Sequence, residues 1–251
     1  LTKTSLELQW SVWFSCYSAY LSCSGWQSWG ASYRISFEFI FSLDLHMTNS
    51  IHNVVESRAS INHFQPNRPL GGDVIAALVN HATKAPSAYN MQNWRFIAVQ
   101  SEAAKERLKA AAFEQQKVVD ASVAFIVCGK LAAHTQLAAA LKPSVDAKIM
   151  EQKMVDGWVA QASISHTADP ALQRDEAVRS ASLASMTLML AAQAMGLGSC
   201  AMSGFDATKV TLEFGISANE LPVMIVAVGH PAAGNWPQKP RKALSEVLSV
   251  V

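Results

Sequence analysis

Three short runs of apolar and aromatic residues constrain this chain most: WRFIAVQ at 94–100, ASVAFIVCG at 121–129 and VMIVAVG at 223–229. Each has strand length and too little polarity for a surface loop, so each reads as a buried strand. A shorter strand is expected at 199–202, directly after the glycines at 196 and 198. The stretches between these runs are much longer than hairpin turns and carry helical spacing. Strands separated by helices specify an α/β or α+β layer fold around one central sheet.

The helices follow from periodicity and stop signals. Residues 51–62 read as a short helix that ends at the turn residues of QPNRPLGGD. Asp73 is placed to cap the next helix, since Val74, Ile75, Leu78 and Val79 repeat at helical spacing until Pro86. Ser101 opens a helix over 101–117. The Ala-rich stretch 131–178, broken at Pro143 and Pro170, reads as two or three mobile helices forming a lid. Residues 178–195 are small or apolar nearly all round, the pattern of a helix buried on most sides.

Composition then removes whole classes of function. Of 251 residues, 50% are hydrophobic and 16% charged, which supports a packed core rather than a disordered chain. A net charge of +1 leaves no broad basic surface for nucleic acid. Cys16, Cys23, Cys128 and Cys200 form neither a disulfide framework nor a zinc motif, so a reducing cytoplasm is the expected compartment. No segment reaches the ~18 apolar residues of a membrane span.

Residues 1–46 differ from the rest. Trp10, Trp13, Trp26 and Trp29 fall in a Ser-crowded stretch nearly free of charge. It lacks the basic start and unbroken apolar run of a secretory signal. His46-Met47 opens ordinary composition and is also what a common cloning junction at a start codon encodes, so residues 1–46 are expected to be a non-domain extension and 47–251 the folded domain. The alternation in ISFEFIFSLDL at 35–45 leaves an added strand or hairpin as the alternative.

Catalytic motifs of the common kinds are missing. There is no GxGxxG after a first strand, no GxxxxGK[ST], no GxSxG elbow and no His pair at metal-ligand spacing. What remains is a set of anion and amide contacts. Arg58 and Ser60 stand at i and i+2, suited to a phosphate face, although an exposed helical arginine would look the same. Lys239, Arg241 and Lys242 sit on a Pro-fixed segment that suits either a phosphate or a solvated basic tail. The loop PSAYNMQN at 86–93 gathers amides and hydroxyls where the edge of a heteroaromatic ring could be read.

The order of ESRASINHF, APSAYNMQNWRFIAV, KVVDASVAFIVCG, AAQAMGLGSCAMSGFD and VGHPAAGNWPQKPRKAL resembles the FMN-dependent nitroreductase family, over residues 51–248 and none of 1–46. The resemblance implies an α+β fold with a central mixed or antiparallel sheet flanked by helices, in an intertwined homodimer with FMN bound between subunits. It implies phosphate and ribityl contacts from Arg58 and Ser60 and a phosphate clamp from Lys239 and Arg241. Ser87, Ala88 and Asn90 match the flavin-contacting loop, Asn90 reaching from the partner chain in many members. Lys117 matches a lysine at the N1 and O2 edge of the ring, against the alternative of a surface residue ending helix 101–117. Ser203 and Gly204 match the turn whose amide faces N5. Ala59, Glu114 and Ser203 depart from the family pattern, and Gln115 or Gln116 is the candidate for a replacing amide.

The activity so implied is reduction of nitroaromatics, quinones or related electrophiles by NAD(P)H through flavin N5, without a dedicated catalytic side chain. A specialised dehalogenase or dehydrogenase of the same fold, or a flavin-binding regulator with little turnover, are the alternatives. Neither nucleic acid, membrane nor metal is expected as a partner. Trp158 is expected either to cover the flavin face or to pack within the lid.

Overall fold

The computed structural model describes residues 51–251 of the chain, so the expectations for residues 1–46 lie outside the described residues. The elements are α1 (Ile51–Ser57), α2 (Gly72–Ala82), β1 (Trp94–Val99), α3 (Glu102–Ala111), α4 (Lys117–Asp120) and β2 (Val123–Lys130). Then come α5 (Leu137–Asp146), α6 (Gln152–Thr167), α7 (Pro170–Ala194), β3 (Gly198–Met202), α8 (Ala207–Phe214), β4 (Glu220–Gly229) and α9 (Leu244–Val247). The fold is α+β.

The four strands form one sheet in the order β1-β2-β4-β3, with every neighbouring pair antiparallel. Its centre explains why the apolar runs show no polar alternation. On β2, Val123, Phe125 and Val127 join Leu78, Ala82, Ala181, Leu188 and Ala192 in the core under α2 and α7. The intervening Ala124, Ile126 and Cys128 join Leu108, Val118 and Val210 in the core under α3, α4 and α8. Both faces are covered, so every β2 residue but the last is buried. Helix α7 lies close enough to β2 that a Cβ on Gly129 would stand 2.5 Å from the Ala177 carbonyl oxygen.

Several boundaries differ from the sequence expectation. Asp73 does not cap α2; the N-cap is Gly71, and Asp73 contributes only a first-turn negative charge. The first helix stops at Ser57, five residues early, because 60–64 pairs with the sheet. The expected helix 101–117 is two helices. Ser101 caps the first as expected, accepting from the Ala104 amide at 3.4 Å. Phe113 and Glu114 then adopt left-handed φ of 52° and 57°, which ends α3, and Lys117 opens α4. Lys117 is therefore not at a helix C-terminus. Pro143 lies inside α5, while Pro170 stands at the start of α7 behind the Asp169 cap, a position where its missing N–H costs nothing.

The stretch 131–178, expected as a lid, holds α5, α6 and the start of α7; Leu137 and Leu141 of α5 and Val155 and Ala162 of α6 form an apolar cluster with Met91. Trp158 belongs to that cluster and meets the Tyr89 ring edge-on at 6.0 Å. Of its two expected roles, packing is what the described residues show. Cys128 and Cys200 are free and buried. No helix among the described residues is long and apolar enough to cross a membrane.

Candidate functional site

The site begins with a segment that has no helix or strand of its own. After α1, residues 60–64 run beside β3: Ser60 bridges Ser199, and the Ile61 amide donates to the Ser199 carbonyl at 3.0 Å. This approach requires glycine at position 198, where a Cβ would stand 2.6 Å from Ile61 Cγ1. Beyond β4 the chain turns back over the same segment. The Ala232 amide donates to the His63 carbonyl at 2.9 Å, and the Gln65 amide to the His230 carbonyl at 2.8 Å.

Two side-chain amides complete that junction. Asn235 Oδ1 accepts from the backbone amides of Asn62 and His63, while its Nδ2 donates to the carbonyls of His63 and Ala232. Gln238 Nε2 donates to the Arg58 carbonyl at 3.1 Å. The result is a cleft of about 140 Å³ whose walls include Arg58, Ser60, Asn62, Trp236, Lys239 and Arg241.

Sequence positions 58–60 and 239–241, each ambiguous alone, thus form one cluster. Among the described residues, no ion pair joins a carboxylate to Arg58, Lys239 or Arg241. Lys239 Nζ lies 4.8 Å from the Trp236 ring centroid, and Arg241 Nη1 donates to the Lys239 carbonyl at 2.9 Å. Three cations around a small polar cleft, with no ion-paired carboxylate among the described residues, suit a multiply charged anion.

Lys117 meets this region through Asn62. Half-buried, its Nζ donates to Asn62 Oδ1 at 2.9 Å and lies 3.6 Å from Cys200 Sγ. Ser203 and Gly204 follow the end of β3, and Gln115 Nε2 donates to the Gly204 carbonyl at 2.8 Å. Of the two candidate amides, Gln115 is the one at this turn; Gln116 bonds Asp120 instead. Glu114 points to a weak contact with Lys109 at 3.9 Å.

Ser87, Ala88 and Asn90 lie elsewhere. They form a tight turn in which Ser87 Oγ accepts from the Gln92 amide at 2.9 Å and the Asn90 amide donates to the Ser87 carbonyl at 3.0 Å. Tyr89, Asn90 and Gln92 all have left-handed φ, of 51°, 57° and 48°. This turn leads into β1, whereas the Arg58 and Lys117 cluster borders β3. Those strands are the two opposite edges of the sheet. Three strand spacings of ~4.8 Å put the edges ~14 Å apart.

Other reactive groups do not enter the cleft. Burial, with the nearby Glu220 charge, pushes the Cys128 thiol up to about 12, so it is no nucleophile. His134 and His166 stack at 5.5 Å within the helical layer. No group of three or more His, Cys, Asp or Glu suited to a metal exists among the described residues.

The family model of the Nitroreductase family matches residues 55–230. The chain belongs to the nitroreductase family. It is therefore an oxidoreductase of that family, with the nitroreductase-like fold. Among its relatives, YodC of Bacillus subtilis strain 168, which carries the name NAD(P)H nitroreductase, is 32% identical over 73% of this chain and 90% of its own. The CLA biosynthesis enone reductase of Lactiplantibacillus plantarum is 28% identical over 74% of this chain and 88% of its own. A solved nitroreductase from Exiguobacterium sibiricum, in complex with FMN, superposes with a TM-score of 0.76 at 26% identity, covering 81% of this chain and 98% of that one.

Proposed function

We propose that this nitroreductase-family protein binds FMN and uses NAD(P)H to reduce nitroaromatics, quinones or related electrophiles. The observation that carries this reading is the convergence of Arg58, Ser60, Lys239 and Arg241 on one cleft where, among the described residues, no carboxylate pairs with the cations. The residues fit the cofactor: a phosphate dianion needs several charge-assisted donors, and the chain has no glycine-rich phosphate loop to supply backbone amides instead.

When bound, FMN supplies hydride transfer at its N5. Arg58, Lys239 and Arg241 hold the phosphate, with the Ser60 hydroxyl beside it. Lys117 sets a positive charge against the N1 and O2 edge, where reduction leaves negative charge, and so favours the reduced state. The backbone of Ser203 and Gly204 lines the N5 side. Gln115 holds that turn through the Gly204 carbonyl. These residues would bind and orient the cofactor, and positioning would replace a dedicated acid or base.

Ser87, Ala88 and Asn90 serve the same cofactor from a second copy of the chain. Three observations support a homodimer. The two residue sets stand at opposite edges of the sheet. Helix α7 leaves Leu183 and Met186 exposed beside Val178 in a shallow apolar hollow. The C-terminal segment exposes Leu244, Val247, Leu248 and Val250 to solvent in the single chain. A second copy covers both apolar surfaces and brings one chain's β1 edge to the other's β3 edge.

The visible spectrum of the purified protein, with the released chromophore identified, tests the cofactor. NADH and NADPH oxidation with a nitroaromatic or a quinone tests turnover. A chain that takes up no FMN overturns the reading; a bound flavin that NAD(P)H does not reduce leaves a flavin-binding regulator in its place.

A further inference from the structure

Lys117 has a long flexible stem, and fixing such a side chain costs rotamer freedom. The structure shows what fixes it. An ammonium has three N–H donors. One goes to Asn62 Oδ1 at 2.9 Å, a second faces Cys200 Sγ at 3.6 Å, and a third is left. Neither partner is a carboxylate. Among the described residues, no ion pair joins a carboxylate to Lys117. The ammonium is held in place while its charge stays uncompensated.

Asn62 is itself held. Its backbone amide donates at 2.7 Å to Asn235 Oδ1, which also accepts from the His63 amide at 3.0 Å. Asn235 Nδ2 donates to the His63 and Ala232 carbonyls at 2.8 and 2.9 Å. All four bonding positions of this carboxamide are used, and the opposite amide orientation would set Nδ2 against two backbone N–H groups. Asn235 thus fixes the backbone at Asn62, and the Asn62 side chain fixes Lys117.

We propose that Asn62 is a positioning residue for Lys117: it sets how strongly the protein favours reduced over oxidised flavin, by holding the ammonium without neutralising it. Asn235 supports it from behind. The proposal rests on the reading that the flavin ring edge lies at Lys117. It adds a residue whose effect passes wholly through another side chain.

The test is a redox titration of the FMN-loaded full chain in four forms: wild type, Asn62→Leu, Lys117→Met and the double variant. Leucine keeps the branching and heavy-atom count of Asn62 and removes the acceptor. Asn62→Ala is the second variant, should leucine crowd the cleft. The expected result is that Asn62→Leu lowers the ratio of reduced- to oxidised-flavin affinity about tenfold, equivalent to ~30 mV for a two-electron couple. Its effect on oxidised FMN affinity stays within twofold. In the Lys117→Met background the same substitution leaves the potential where Lys117→Met alone puts it, since residues acting through one another are not additive.

A shift of equal size in that background overturns the proposal, because Asn62 then acts on the ring directly. A potential that responds to Lys117→Met and ignores Asn62→Leu also overturns it, and leaves the functional reading standing. A full chain that takes up no FMN at all refutes the functional reading itself.

Discussion

Removing the Arg241 guanidinium should separate binding of the phosphate from binding of the ring. Arg241 is exposed, lies outside every helix and strand, and spends one N–H on the Lys239 carbonyl at 2.9 Å, leaving four donors. A hydrogen bond to a charged group contributes ~1.5–3 kcal/mol. Solvent exposure and the two remaining cations of the cleft place Arg241 at the lower end, about 1.5 kcal/mol, which is a little over tenfold in Kd. Arg241→Ala should therefore weaken FMN about tenfold and riboflavin less than twofold. The protein should stay folded, since surface substitutions of this kind change stability by only ~0.5 kcal/mol, and Gln238 rather than Arg241 ties the tail to the Arg58 carbonyl. Fluorescence titration of the apoprotein with each flavin is the assay. Equal weakening of FMN and riboflavin would refute the reasoning, because it would place Arg241 against the ring rather than the phosphate.

Mixing chains tests the shared site: Lys117→Met and Asn90→Ala chains, each impaired alone, should regain activity when refolded together, since a mixed dimer has one site free of both substitutions. No recovery in a verified mixed dimer would put both residues on one chain's site. Gly198→Ala should destabilise the protein by ~1–3 kcal/mol and weaken FMN in parallel, because the new Cβ meets Ile61 at 2.6 Å and displaces the segment that carries Arg58; calorimetry with flavin titration reads both. Burial, then the neighbouring His166 charge, holds His134 below the ordinary histidine value of 6.5. The unfolded chain therefore binds the proton first as pH falls through 6.5, so stability should decline toward acid and be unaffected above neutrality, and His134→Gln should flatten that decline in thermal melts. A chain beginning at Met47 should keep its flavin and its melting temperature, and loss of folding would show that residues 1–46 pack on the body.

The sheet was legible because β2 and β4 are covered on both faces, which leaves long apolar runs that no surface segment tolerates. The helix breaks were not. Composition over 101–117 favours one continuous helix, yet Ala112 and its neighbours turn away so that Ala111 can accept from the Asp206 amide at 2.8 Å, a contact 95 positions distant in sequence. Pro143 misled in the other direction. Pro143 is the seventh residue of α5, past the first-turn positions whose N–H groups are unpaired, so the helix forgoes one backbone bond there and still continues to Asp146.

The candidate site divides along the same physical line. Arg58, Ser60, Lys239 and Arg241 could be singled out because charge near a backbone turn is visible one segment at a time, and the structure needed only to bring two such segments together. Asn62 and Asn235 carry no such mark. An uncharged amide in a polar loop gains meaning only from its partners, here a lysine 55 positions away and a backbone segment 173 positions away. The amides nonetheless decide the geometry. Cations drawn together around one cleft repel each other, and with no ion-paired carboxylate among the described residues to offset that repulsion the backbone beneath them must be held by neutral bonds. Asn235 and Gln238 supply those bonds. The cleft can thus stay positively charged and closed at once, which is the condition for binding a dianion without first breaking an internal ion pair.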